Sequence, residues 1–193
     1  MLSYKESLKI LKETDALIEG HFILSSGLHS DKYIQCAKLL SKPQKAKDLC
    51  QSLAEKISEN FNDFNLVLSP AVGGIVIGYE IGRLLNVETI FAERVNKIFQ
   101  LRRGFEIKKN HKILIVEDVI TTGKSSLECS VLAEKLGAEI VGFASLIDRS
   151  NGKSKINKKI ISQVQIEIPT FTEDDIPEKI KRIKATKPGS RDL

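Results

Sequence analysis

Glu117 and Asp118 follow the apolar run Ile113-Leu114-Ile115-Val116, and two apolar residues later the chain reads Thr121-Thr122-Gly123-Lys124-Ser125-Ser126. Adjacent carboxylates at the end of a buried strand repel one another unless something bridges them, and vicinal sugar hydroxyls are natural donors to both. Small hydroxyl residues leading into a helix offer unpaired, partly positive backbone N–H groups. Gly123 permits close approach, so Thr121 to Ser125 suit a phosphate monoester. Together the two parts outline a ribose 5-phosphate. The plain alternative is an ordinary strand-to-helix turn with acids in it and a hydroxyl cap, and for the acid pair alone that is the better reading. Gly123-Lys124-Ser125 invites comparison with a P-loop, but that motif needs a glycine where this chain has Asp118. No G-x-G-x-x-G follows an expected strand, which leaves dinucleotide binding without support.

The elements that must position these groups read as an alternation. Strands are expected at Leu66–Ser69, Thr89–Ala92, Lys112–Val116 and Ile140–Ile147, with helices at Gly74–Leu85 and Ser125–Leu136. Short apolar strands separated by helices imply an α/β fold with a parallel sheet covered on both faces, whose ligands gather beyond the carboxyl ends of the strands. Upstream, Tyr4 to Ile18 reads as a helix stopped by Gly20. His21 to Gln35 reads as strand, turn around Ser25-Ser26-Gly27, and strand, and a core helix follows Pro43. One domain spanning 1–193 is expected, with 1–40 as helix and flap and 41–193 as α/β core and tail. Lys153 to Lys159 is expected to be a solvated loop.

Composition narrows the classes. With 41% hydrophobic and 28% charged residues, the 193-residue chain is expected to fold as a globular protein. Its apolar runs are far shorter than the roughly 20 residues a membrane helix needs, so no membrane role is expected. No export signal is visible at Met1 to Lys12. Cys36, Cys50 and Cys129 lack metal or redox spacing and fit buried thiols in a reducing cytoplasm. The net charge of +5 suits either nucleic acid or a polyphosphorylated substrate. Only 6% of residues are aromatic and no basic stretch is interleaved with them, which argues against nucleic acid as a partner.

The apolar run, Glu-Asp, two apolar residues and Thr-Thr-Gly-x-Ser resemble the phosphoribosyl pyrophosphate (PRPP) motif of type I phosphoribosyltransferases. The resemblance implies a type I phosphoribosyltransferase-like core with an N-terminal hood. In it Glu117 and Asp118 hold the ribose hydroxyls, and Thr121, Thr122, Gly123, Lys124 and Ser125 hold the 5-phosphate. Residues 20–34, Gly-His-Phe-Ile-Leu-Ser-Ser-Gly-Leu-His-Ser-Asp-Lys-Tyr-Ile, resemble the hood of orotate phosphoribosyltransferases. Ser69-Pro-Ala-Val-Gly73-Gly74-Ile resembles their pyrophosphate loop, with Ala71, Val72 and Gly73 at the anion. The likeness continues through Phe91-Ala-Glu-Arg94, Leu101 to Phe105, Asp148-Arg149 and the tail from Lys187 to Arg191.

What the resemblance implies is transfer of phosphoribose from PRPP to N1 of orotate, with Mg2+ as cofactor, in a homodimer that shares its active sites. Arg149 corresponds to the arginine on orotate, where a surface salt bridge is the plain alternative. Ser25, Tyr33, Ile34 and Thr121 are implied near the base, with core packing the alternative for Ile34. Many family members carry lysines where this chain has Ser25 and Gly73, and a mobile loop with lysine, histidine and glycines where Val95 to Leu101 has only Lys97. Arg94, Lys97, Arg102 and Arg103 are the expected substitutes, with Lys97, Arg94 and Asp118 expected to act in catalysis. An exposed basic hairpin is the plain alternative for that cluster. Two rivals remain: a regulator that keeps the fold to sense nucleotides and bind nucleic acid, and a purine phosphoribosyltransferase.

Overall fold

Ser3 opens the chain's first helix, α1 (Tyr4–Glu13), with a reciprocal cap: its hydroxyl accepts from the Glu6 N–H, and the Glu6 carboxylate accepts from the Ser3 N–H at 2.8 Å. The helix stops five residues short of the expected Ile18. Thr14 caps it and Asp15 takes a left-handed φ of 56°, a conformation an aspartate tolerates and a helix cannot continue through. Leu17 and Ile18, whose spacing also fits a helical face, instead start β1 (Leu17–Ile23), and Gly20 lies inside that strand.

The computed structural model describes residues 1–24 and 26–188; the implied base contact Ser25 and the tail residue Arg191 lie outside them. After β1 come β2 (His29–Ile34), α2 (Cys36–Leu40), α3 (Pro43–Asn60), β3 (Leu66–Pro70) and α4 (Gly74–Leu85). Next are β4 (Glu88–Val95), β5 (Ile98–Leu101), β6 (Lys112–Ile120), α5 (Lys124–Lys135) and β7 (Glu139–Asp148). The last are β8 (Ile160–Gln165), β9 (Thr170–Phe171) and α6 (Glu178–Lys181).

The central sheet runs β5-β4-β3-β6-β7-β8 and is parallel except for the β4–β5 hairpin. Alternate residues feed two cores, as the strand's period of two requires. Val67, Leu114 and Val116 pack with α1, α3 and α4, whereas Leu66, Leu68, Ile113 and Ile115 pack toward the face covered by α5. Burial on both faces explains why these strands read as unbroken apolar runs.

The hood draws on both ends of the chain and not only on residues up to 40. β9 joins β2 to make a three-stranded sheet, and the Ser30 hydroxyl donates to Pro169 O at 2.9 Å. Thr186 exchanges backbone hydrogen bonds with His21 and Ile23. The His21 ring lies 3.0 Å from Ile183 O through Nδ1 and 2.7 Å from His29 Nδ1 through Nε2. A carbonyl can only accept, so His21 Nδ1 carries the proton and Nε2 accepts from His29.

Gly74, Gly78 and Gly82 form one face of α4, four residues apart, and seat it directly on β3 and β4. A Cβ on Gly78 would overlap Ser69 Oγ, and one on Gly82 would overlap the Thr89 hydroxyl and approach Val87 O at 2.7 Å. Gly78→Ala is expected to cost about 2 kcal/mol through overpacking, read as a lower urea midpoint with an unchanged slope. A midpoint equal to wild type would show that the helix can lift off freely.

Candidate active site at the carboxyl ends of the strands

Glu117 and Asp118 sit half-buried near the end of β6, where a strand leaves the sheet's apolar interior. The Val119 N–H donates to Asp118 Oδ1 at 2.9 Å. On its other side the Asp118 carboxylate fills the space a side chain would need at residue 73: a Cβ on Gly73 would stand 2.8 Å from Oδ1 and 2.9 Å from Oδ2. Gly73 therefore serves here as a close approach and not as a turn of unusual φ, since it is right-handed at φ −58°. The loop 71–73 and the acid pair thus share one wall. Val72 is 82% exposed there, and the Ala71–Val72 peptide is cis.

Burial raises both carboxyls. It pushes Glu117 up to about 7, with the Asp118 charge adding to the effect and the Ser126 hydrogen bond and Arg94 opposing it. Asp118 is raised chiefly by burial, partly offset by backbone hydrogen bonds including that from Val119. Two acids held this way, without a cation bonded to either, favour a ligand that brings hydroxyl donors to them.

Thr121 and Thr122 are exposed at the following loop, and Gly123, at φ 75°, is the N-cap of α5. The N-cap residue Gly123 has no side chain to cap that helix. Although the Lys124 N–H donates to Thr122 Oγ1 at 3.4 Å, the Gly123 and Ser125 amides have no partner among the described residues and are open to an anion. The lysine-rich stretch backs this loop instead of standing in solvent throughout. Lys155 N–H donates to Thr122 O at 3.2 Å, and Ile156, buried, sits where a Gly123 side chain would go, 2.8 Å from its Cβ position. Lys124 is exposed and Ser125 half-buried on the first turn.

Arg149 follows β7, its N–H bonded to Ile120 O at 2.8 Å, which fixes it beside the start of the phosphate loop. Its Nε is buried and has no hydrogen-bond partner. Burial lowers its pKa, with Tyr33 acting in the opposite sense. Among the described residues it forms no salt bridge, so the surface-pair alternative does not hold. A desolvated guanidinium without a carboxylate is costly unless a ligand supplies one. Tyr33 stacks near Phe22 with ring centroids 5.7 Å apart. Ile34 is a correction: it is 6% exposed and packed in the core, so its side chain offers no face to a base.

The basic cluster is divided. Arg94 is a second correction, because its guanidinium is engaged three ways: by Glu128 on α5 at 2.6 Å, by Lys97 O at 2.9 Å, and over the Phe99 ring at 4.1 Å. It braces the hairpin to α5 and only tempers Glu117 from a distance. Arg102 and Arg103 both pair with Glu93 and are exposed. Lys97 stands apart. It occupies a left-handed position with Asn96 in a two-residue hairpin turn, and it lines a groove shared with Thr122 and Lys124 of the phosphate loop. So the basic hairpin foreseen as the plain alternative exists, with Lys97 facing the phosphate side.

Ser126 is the residue that motif reading passes over. It is fully buried on the first turn of α5 and its hydroxyl donates to Glu117 Oε2. Nothing in its sequence position distinguishes it from Ser125. Cys36 was read only as a buried thiol; it is buried and its Sγ lies 3.8 Å from Asp118 O.

Comparison with known proteins gives a consistent result. The phosphoribosyl transferase domain profile matches residues 38–176. The orotate phosphoribosyltransferase of Parvibaculum lavamentivorans is 46% identical over 189 residues, covering 96% of this chain and 97% of its own. That of Erythrobacter litoralis is 44% identical over 188 residues, covering 97% of each. Among solved structures, orotate phosphoribosyltransferase from Aeropyrum pernix superposes with a TM-score of 0.72 at 22% identity, over 82% of this chain and 92% of that one. Adenine phosphoribosyltransferase from Thermoanaerobacter pseudethanolicus superposes with a TM-score of 0.59 at 18% identity, over 70% and 88%. The fold is common to both kinds, so the backbone alone does not choose the base.

Proposed function

The chain belongs to the orotate phosphoribosyltransferases, and from that membership we propose how its own residues divide the work of the reaction. The reaction is transfer of the 5-phosphoribosyl group from PRPP to N1 of orotate, giving orotidine 5′-monophosphate and pyrophosphate in pyrimidine biosynthesis. Asp118 and Glu117 accept from the ribose hydroxyls. The amides of Gly123 and Ser125, with the Thr121 and Thr122 hydroxyls and Lys124, hold the 5-phosphate. The 71–73 loop faces the pyrophosphate through the amides of Val72 and Gly73, the Ala71 N–H being bonded to Ala92 O at 2.8 Å. Arg149 takes the carboxylate of orotate, with Tyr33 beside it.

One observation carries this reading: Arg149 is desolvated with Nε unpartnered, next to Tyr33 and tied by its backbone to Ile120 at the mouth of the phosphate loop. That is a cationic fork waiting for a planar anion, which orotate supplies and a purine does not. It separates the purine reading from the orotate one on chemistry the common fold leaves open.

The protein's part is to orient and neutralise. Bond breaking at the anomeric carbon develops positive charge on the ribose, next to the Asp118 and Glu117 carboxylates, and negative charge on the departing pyrophosphate. Orotate N1 then bonds from the opposite face. Lys97, on its hairpin turn, is placed to approach the phosphate side and exclude water when the loop closes. Among the described residues no group of three or more His, Cys, Asp or Glu side chains could hold a metal. Mg2+, for which no protein ligand is assigned, would be carried by PRPP and would supply charge neutralisation for the leaving group. A homodimer in which one copy's β4–β5 hairpin meets the other's site belongs to the same reading, supported by Ile98, which is 65% exposed on that hairpin. A cytoplasmic location fits three buried free cysteines. Among the described residues no helix is long and apolar enough to cross a membrane.

The test is the fall in orotate's ultraviolet absorbance with PRPP and Mg2+. A fall that requires both is expected, and adenine or hypoxanthine should neither compete nor be consumed. Consumption of a purine with orotate inert would overturn the assignment of Arg149.

A further inference from the structure

A serine inside a helix ordinarily returns its hydroxyl proton to a carbonyl one turn back. Ser130 on α5 does this, donating to Leu127 O at 2.9 Å. Ser126, one turn earlier and with no exposed surface, does not: its hydroxyl crosses from α5 to β6 and donates to Glu117 Oε2. A hydroxyl has one proton to give, so Glu117 Oε2 is held as an acceptor and the carboxylate cannot rotate without losing that bond. Glu117 Oε1 has no donor among the described residues and is not fully enclosed.

We propose that Ser126 is a positioning residue for PRPP: it clamps one oxygen of Glu117 so that the other is presented to the ribose hydroxyls. The inference rests on the reading of Glu117 as a ribose ligand and adds what sets its geometry. The clamp sits on the same first turn of α5 that carries the proposed phosphate cradle. One helix turn therefore fixes both the 5-phosphate site and the diol-binding oxygen, and with them the span between the two ends of the ribose phosphate. It also decides where a proton on Glu117 goes. With Oε2 already bonded, protonation falls on Oε1, the oxygen the diol needs, so acid removes the acceptor directly. The groups facing Glu117 are Ser126, Asp118, the buried Cys129 thiol on α5 and, at longer range, Arg94. Ser126 and Arg94 favour its ionised form, Asp118 opposes it, and Glu117 in turn helps hold the Cys129 thiol protonated.

The experiment is steady-state kinetics of the full chain, with Ser126→Ala, Ser126→Thr, Glu117→Gln and the Ser126→Ala/Glu117→Gln double variant, followed across neutral pH. Ser126→Ala is expected to raise KM for PRPP about tenfold while leaving KM for orotate near wild type. The acid limb of kcat/KM for PRPP should move to higher pH, because a bond that favours the carboxylate has gone. Ser126→Thr, which keeps the hydroxyl, should recover most of the loss. In the Glu117→Gln background Ser126→Ala should add little, since the two act through one bond. A wild-type KM for PRPP in Ser126→Ala, equal losses for both substrates, or full additivity with Glu117→Gln would each overturn the clamp. If Glu117→Gln itself binds PRPP normally, the ribose reading of Glu117 falls instead. Impairment in Glu117→Gln with a normal Ser126→Ala removes only the role of Ser126.

Discussion

Asp118→Asn is expected to cut turnover by about 10²–10³-fold and, at pH 8, to melt at a higher temperature than wild type. The two effects have one cause. Asp118 is kept in a place where burial raises its pKa, against a backbone bond from Val119 that favours its charge. A carboxyl raised on folding binds its proton more tightly in the native state than in the unfolded one. Its contribution to stability is then greatest at low pH and falls as pH rises from the ordinary value to the raised one, remaining lost above it. For Glu117 that window runs from 4.5 to about 7. Above that window Glu117 is charged and weakens the fold, and Asp118, raised by the same burial, acts in the same sense. Asparagine keeps the oxygen that Val119 bonds and removes the charge, so the fold gains while the anionic acceptor beside the reacting sugar is lost. Thermal melts at pH 5 and pH 8 check the sign: the gain should shrink at the lower pH. Retained turnover would end the ribose assignment of Asp118, and a lower melting temperature at pH 8 would end the argument from desolvation.

Arg149→Ala is expected to raise KM for orotate by about 10²-fold while changing KM for PRPP little. Among the described residues the guanidinium meets no carboxylate, so its removal leaves no buried anion behind and should not unfold the protein. Arg149→Lys should fail to restore orotate binding, because a compact ammonium cannot make two parallel bonds to a carboxylate. Binding of orotate and of PRPP measured separately by calorimetry would decide it. Equal weakening of both ligands would mean that Arg149 supports the loop at Ile120 and not the base.

What could be read from the sequence was what depends on neighbours along the chain. Helix α4 has the expected bounds, Gly74–Leu85, because glycine opens it and Asn86, in a left-handed conformation at φ 55°, ends it. The placement of the acid pair and of the loop from Thr121 to Ser125 was legible because a strand, a turn and a helix start follow one another without interruption, whereas Arg149 was singled out only by the family resemblance. The first helix was read too long since Ala16, Leu17 and Ile18 satisfy a helical face as well as a strand; what stops it is the backbone at Asp15. β8 and β9 escaped notice because edge strands mix polar and apolar residues, and the hood's third strand comes from the other end of the chain. Arg94 looked like a free cation because its partner, Glu128, arrives only when α5 packs beside the hairpin. Ser126 shows the same limit, since its bond to Glu117 exists only once helix and strand meet.

The glycine face of α4 leaves that helix no slack. With Gly74, Gly78 and Gly82 close against the strands beneath, and Gly73 abutting the Asp118 carboxylate, the start of the helix rests on the acid proposed for the sugar. Its outward side carries Val76 and Tyr79, 52% and 65% exposed. A load placed on those two residues would reach the Asp118 carboxylate through the helix.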